Sequence, residues 1–210
     1  LILGWLTDAK ILGMYSIAFF MINSLREMIS SLLGNVTFPA LSEVVRERPE
    51  MLKQTYYRFR KPLDVLTLLA TGLLFFSGHV LIDSLYDKRY TASGDMLEIL
   101  SIALFSMRYM AAGQCFLALG KPKLLIPVIS IQALALYGLM PIAFAWHGLN
   151  GALWVVGGNL LFTLPMVFYL MIKLNLFDMK RELRVLPWLA YGLILGWAIN
   201  RIASMIGWFP

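Results

Sequence analysis

Two arginines, Arg26 and Arg108, stand deep inside long apolar stretches, where a charged side chain is hardest to place. Arginine stays protonated under any accessible condition, and its planar fork of donors matches a phosphate or a carboxylate. The chemistry they could supply is recognition of an anion. Around Arg26, the residues Ser16, Asn23, Glu27, Ser30, Gly34 and Thr37 recur at helical spacing and share one face, with Arg26 bordering it. Glu98, Ser101, Arg108 and Cys115 share a face in the same way. Counted at the helical rise, Arg26 lies about 21 Å from Leu12 and Arg108 about 18 Å from Met96, both near mid-depth of a bilayer. Two guanidinium groups at that depth imply a wet or protein-lined interior. We therefore expect Arg26 and Arg108 to hold an anionic headgroup, with Asn23, Glu27, Ser30 and Ser101 lining the same cavity. The alternative is structural pairing. Adjacent helical residues diverge, so Arg26–Glu27 is a poor pair, and Glu98 lies about 15 Å from Arg108 along the helix. Neither arginine has an evident acidic partner at its own depth in the sequence.

Other polar residues carry less. His79 and Asp83, one turn apart, could relay a proton, since histidine titrates near neutrality, or could simply anchor a helix end. Arg201, beside Asn200, can snorkel to an interface. Catalytic signatures do not occur: the chain has no DxD or DDxxD, no HxxxxD, no HExxH, no P-loop and no GxSxG. No catalytic residue, no metal site and no cofactor are expected, and the chain reads as something other than an enzyme.

The elements that must position these side chains follow from composition. Of 210 residues, 60% are hydrophobic and 14% charged, against about 45–50% and 25% in soluble domains. A single cysteine, Cys115, excludes an internal disulfide. About 20 mostly apolar residues cross a bilayer as a helix, and six stretches qualify, at about 11–38, 63–82, 96–119, 124–146, 150–172 and 186–207. Residues 1–6, LILGWL, read as the end of a seventh helix. The expected fold is all-α, a polytopic bundle forming one transmembrane domain over 1–210. The chain begins inside apolar sequence without a visible signal peptide, as a piece of a longer protein would.

Proline and glycine punctuate the spans. Pro39 and Pro62 flank the first loop, Pro122 follows Gly120, and His147-Gly148-Leu149-Asn150-Gly151 makes a tight turn. The net charge of +6 is topological. Twelve of the eighteen basic residues fall in alternate loops: Arg46, Arg48, Lys53, Arg58, Arg60 and Lys61; Lys121 and Lys123; Lys173, Lys180, Arg181 and Arg184. The opposite loops hold only Lys10, Lys88 and Arg89. By the positive-inside rule, loops 42–61, 120–123 and 173–185 face the cytoplasm, and nucleic acid is not an expected partner. The segment 42–61, an amphipathic cytoplasmic connector, interleaves Tyr56, Tyr57 and Phe59 with basic residues, which suits a short helix lying on the anionic inner leaflet.

Four segments carry a family resemblance: LGMYSIAF (12–19), FPALSEV (38–44), LEILSIALF with LALGKPK (97–105 and 117–123), and HGLNGALW (147–154). In order and spacing they resemble the C-terminal half of the Wzx-like polysaccharide-biosynthesis flippases, a branch of the multidrug/oligosaccharidyl-lipid/polysaccharide (MOP) exporter superfamily. His147 and Asn150 depart from the family's usual turn. The resemblance implies a C-terminal bundle of a MOP/MATE-like transporter working by alternating access. Its partners would be membrane lipids and the N-terminal half of the same chain. Its substrate would be an undecaprenyl-pyrophosphate-linked oligosaccharide, flipped across a bacterial inner membrane. Relatives in that superfamily also include lipid II flippases and cation-coupled drug exporters. A membrane enzyme handling polyprenyl-linked sugars, or a scaffold, would be a different class and should show a carboxylate or histidine constellation at one leaflet.

Overall fold

The structure is a computed structural model describing residues 7–206, apart from the side chains of 32 and 33. Residues 1–6, expected to end a seventh helix, and 207, the last residue of the final expected span, lie outside the described residues. Among the described residues the fold is all helical, with no strand. Five helical segments among the described residues are long and apolar enough to cross a membrane: Ala9–Glu47, Pro49–Leu85, Ala92–Ala118, Pro122–Gly158 and Met179–Met205. The chain is a multi-pass membrane protein.

The first segment comprises α1 (Ala9–Leu32), a wider π-helical turn (Leu33–Thr37) and α2 (Phe38–Glu47). Pro39 does not end it, because proline in the first turn of a helix removes a donor that has no intrahelical partner there. The second segment differs from the sequence expectation. Helix α3 (Leu52–Leu85) begins eleven residues before the expected span, and Pro62 lies inside it. Residues 42–61 are therefore mostly helical: they finish α2, pass through a 3-10 turn at Pro49–Met51 and form the first turns of α3. Tyr56, Tyr57 and Arg60 in those turns are buried. The third segment is built of α4 (Ala92–Leu100), α5 (Ile102–Met107) and α6 (Met110–Ala118). It is interrupted at Ser101, whose hydroxyl donates to the Glu98 carbonyl at 2.6 Å, and again at Arg108-Tyr109.

Helix α7 (Leu125–Gly158) contains Gly148 at φ 59°, ψ −144°, a region essentially reserved for glycine. A Cβ on Gly151 would fall 2.2 Å from the Ala143 carbonyl oxygen. Eight residues along a straight helix span about 12 Å, so the chain reverses at Gly148. The return arm continues through a turn at Leu161–Thr163 into α8 (Leu164–Lys173). The stretches expected at 124–146 and 150–172 are thus the two arms of one hairpin. Asp178 caps α9 (Met179–Arg184) by accepting from the Lys180 and Arg181 amides, and α10 (Pro187–Met205) follows.

Helices α3 and α10 cross at glycines. A Cβ on Gly72 would lie 2.5 Å from the Leu193 nitrogen, and one on Gly196 2.5 Å from the Leu73 carbonyl oxygen. Small residues let helix backbones approach this closely in a membrane. The opposite faces carry exposed Leu134, Tyr137 and Trp146 on α7 and Tyr191, Ile194 and Trp197 on α10, a surface matched to hydrocarbon.

Candidate functional site

Four charged side chains meet where the first turns of α3, the α5–α6 break and α9 converge. Arg60 and Asp64 stand one turn apart on α3 and are fully or nearly fully buried. Arg60 Nε donates to Asp64 Oδ1 at 3.0 Å. Its two terminal nitrogens donate to the two oxygens of Glu182, a bidentate fork on a carboxylate from α9. Arg108 Nη2 donates to Glu182 Oε2 at 2.8 Å. Arg108 Nε lies 3.1 Å from Asp64 Oδ1, yet its N–H is not aimed at that oxygen, so the contact is coulombic rather than a hydrogen bond. Glu182 also accepts from the Tyr57 and Tyr109 hydroxyls at 3.1 Å each. Tyr57 in turn accepts from the Asp178 amide at 2.9 Å. The Arg60 guanidinium lies 4.6 Å from the Tyr109 ring centroid, and that of Arg108 lies 5.0 Å from it. Two cations and two anions leave the cluster neutral, the condition under which buried charge is tolerable.

This corrects the expectation that Arg108 has no acidic partner at its depth. Asp64 and Glu182 supply two, so the guanidinium is not held open for an anion in this conformation. Sequence reasoning missed Glu182 because it lies among the basic residues of a connecting segment, more than seventy positions from Arg108. The Arg60–Asp64 spacing, a basic and an acidic residue one turn apart at the edge of an apolar run, was the legible signal.

The cluster stands between two cavities. The first has a volume of about 320 Å³; Arg26, Ser106, Tyr109, Gln114, Gln132 and Thr163 supply its polar groups, and most of its wall is apolar, including Met110, Leu125 and Val128. Arg26 is partly buried, and among the described residues it makes no ion pair. Ser106 Oγ, on the same wall, is buried without a hydrogen-bond partner in the protein. Tyr109 faces this cavity and donates to Glu182 behind it. The second cavity, of about 550 Å³, is lined by Tyr57 and Asp64 from the cluster and by Arg58, Lys61, Arg181 and Arg184.

Of the secondary residues expected to line a cavity, none touches either of these two. Asn23 and Ser30 are partly buried, Glu27 is exposed, and Ser101 is fully buried with its hydroxyl turned onto its own helix. His79 and Asp83, the candidate proton relay, each have partners on other elements. His79 Nδ1 lies 2.5 Å from Glu98 Oε1, its Nε2 is 3.2 Å from Asn200 Oδ1, and Asp83 accepts from the Thr91 hydroxyl at 3.1 Å. The histidine therefore joins α3, α4 and α10. The guanidinium of Arg201 is 5.6 Å from the Trp197 ring centroid on an exposed face.

Residues 1–95 match the sequence profile of a family described as polysaccharide biosynthesis protein. No curated protein and no solved structure matches the chain. The matched residues include α1 with Arg26 and the whole of α3 with Arg60 and Asp64. Together with the membrane-spanning helices, the match supports a transporter-like role in the synthesis or export of a polysaccharide.

Proposed function

We propose, from a chain whose first 95 residues carry the profile of a polysaccharide-biosynthesis family, that it is part of a flippase moving an undecaprenyl-pyrophosphate-linked oligosaccharide across the bacterial inner membrane. The observation that carries this reading is Arg26: an arginine without an ion-pair partner among the described residues, lining a cavity inside a membrane bundle whose other buried arginines are neutralised. A pyrophosphate needs compensating charge wherever it leaves water, and a guanidinium supplies it with fork geometry. Gln114, Gln132 and the unpartnered Ser106 hydroxyl add neutral polar atoms on the same walls. The lipid tail would stay against the apolar outer faces while the headgroup crosses. The basic ends of the helices would face the cytoplasm, as the positive-inside rule requires, and alternating access would need the N-terminal half of the protein.

The test is Arg26→Ala in the full-length protein, scored by surface polysaccharide at matched membrane abundance. A charge-assisted hydrogen bond contributes about 1.5–3 kcal/mol, so affinity for the headgroup should fall roughly 10- to 150-fold. Surface polysaccharide should fall with it, and Arg26→Lys should retain part of the activity. Normal polysaccharide from Arg26→Ala at normal abundance removes Arg26 from the mechanism.

A further inference from the structure

The second cavity has a different character from the first. Its basic residues come as two pairs spaced three apart on facing helices, Arg58 and Lys61 on α3 and Arg181 and Arg184 on α9. That spacing puts both members of a pair on one helical face. Arg58, Lys61 and Arg184 make no ion pair among the described residues, and all three are exposed. Arg181 is held in place by Asp178, 3.4 Å away, and by the Tyr57 ring, whose centroid is 5.2 Å from the guanidinium carbon. The carboxylate on the wall, Asp64, is already engaged by Arg60 and Arg108. The cavity therefore offers several cationic donors with no anion of their own.

Its wall is apolar in part. Trp188 lines the cavity and is 40% exposed, and its ring packs against that of Tyr191. Val185, at the end of α9, lines the cavity beside it. A free anion would use only the basic half of this arrangement. An amphiphile would use both, with its phosphate among the basic side chains and its chains along Trp188 and the adjoining Tyr191.

We propose that the cavity between the first turns of α3 and the α9–α10 junction binds the phosphate headgroup of an anionic bilayer phospholipid. This inference does not rest on the flippase reading. Basic pockets between transmembrane helices recognise such headgroups, each cation near the surface contributing about a fivefold gain in affinity.

The experiment is a titration of the purified full-length protein with phosphatidylglycerol, followed by native mass spectrometry. The variant R58Q/K61Q/R184Q should bind on the order of 100-fold more weakly. A matched variant, R48Q/K121Q/K173Q, removes the same charge elsewhere and should change affinity by no more than about twofold. Arg184→Gln alone, the mildest change, should lose about fivefold and guards against failure of the triple variant to fold. Inorganic pyrophosphate at equal concentration should not displace the lipid, whereas Trp188→Ala, with every charge kept, should weaken it. Equal loss in both triple variants would mean diffuse surface charge and would overturn the site. Displacement by pyrophosphate, or no effect of Trp188→Ala, would overturn the lipid assignment.

Discussion

Replacing Glu182 by alanine removes the acceptor of five hydrogen bonds at once: two from Arg60 and one each from Arg108, Tyr57 and Tyr109. Summed at about 1.5–3 kcal/mol each, these bonds would reach roughly 8–15 kcal/mol, as large as the whole stability of a domain. The sum is too high because the bonds share one carboxylate and are not additive. The controlling term is the charge left behind. Two guanidinium groups with side-chain exposures of 0% and 1% would share only Asp64, a net buried charge of one. Stranding such a charge costs about 3–5 kcal/mol, which is the expected loss for Glu182→Ala. A double-mutant cycle isolates the cause. Arg108→Met with Glu182→Gln restores neutrality around the Arg60–Asp64 pair, so the double variant should be less destabilised than the sum of the singles by about 2 kcal/mol. Reversible unfolding of the full-length protein in mixed micelles measures both quantities. Additivity within about 0.5 kcal/mol, or a cost below about 1 kcal/mol for Glu182→Ala, would refute the claim that electroneutrality holds this cluster together.

Two backbone predictions complement it. Gly192→Ala places a Cβ 2.6 Å from the Leu69 carbonyl oxygen. Backbone cannot yield as a side chain does, so α3 and α10 must part and stability should fall by about 1–3 kcal/mol. Gly13→Ala, in open space on α1, should be neutral or stabilising by up to about 1 kcal/mol; equal effects at the two positions in the same unfolding assay would argue against the close crossing. Gly148→Ala should cost about 1–3 kcal/mol because its φ and ψ are reserved for glycine. A melting temperature unchanged by Gly148→Ala would mean that the hairpin reverses elsewhere.

The helical membrane class was legible because apolar runs long enough to span a bilayer have few other uses. The reversal at Gly148 was legible too, since HGLNG marks a turn between two such runs. The start of α3 was not. The run Tyr56-Tyr57-Arg58-Phe59-Arg60 has the composition of a headgroup-facing helix, and nothing local says that Tyr56 and Arg60 are buried while Arg58 is exposed. That division is imposed by Glu182, 122 residues further along the chain. His79 shows the same limit. Asp83 is its neighbour by helical spacing, but Glu98 reaches it because Gly78 and Gly94 let α3 and α4 approach closely: a Cβ on Gly94 would sit 2.4 Å from the His79 Cα. Local spacing proposes partners, and helix packing chooses among them.

The same contrast separates the two arginines that the sequence treated as equivalent. Both interrupt apolar helices, and insertion alone costs each about 2.5–3.5 kcal/mol. Arg108 recovers that cost structurally, since Glu182 and Asp64 neutralise it and Tyr109 covers it. Its removal should therefore register first in stability. Arg26 shows no such compensation: it lines a mainly apolar cavity with a few neutral amides and hydroxyls, and no carboxylate forms an ion pair with it among the described residues. On the proposed reading, a charge kept in that state would give the cavity a net attraction for anions, which a structural pair would cancel. The neutral cluster would leave that attraction unquenched, because the carboxylates of Asp64 and Glu182 are engaged by Arg60 and Arg108 and form no ion pair with Arg26.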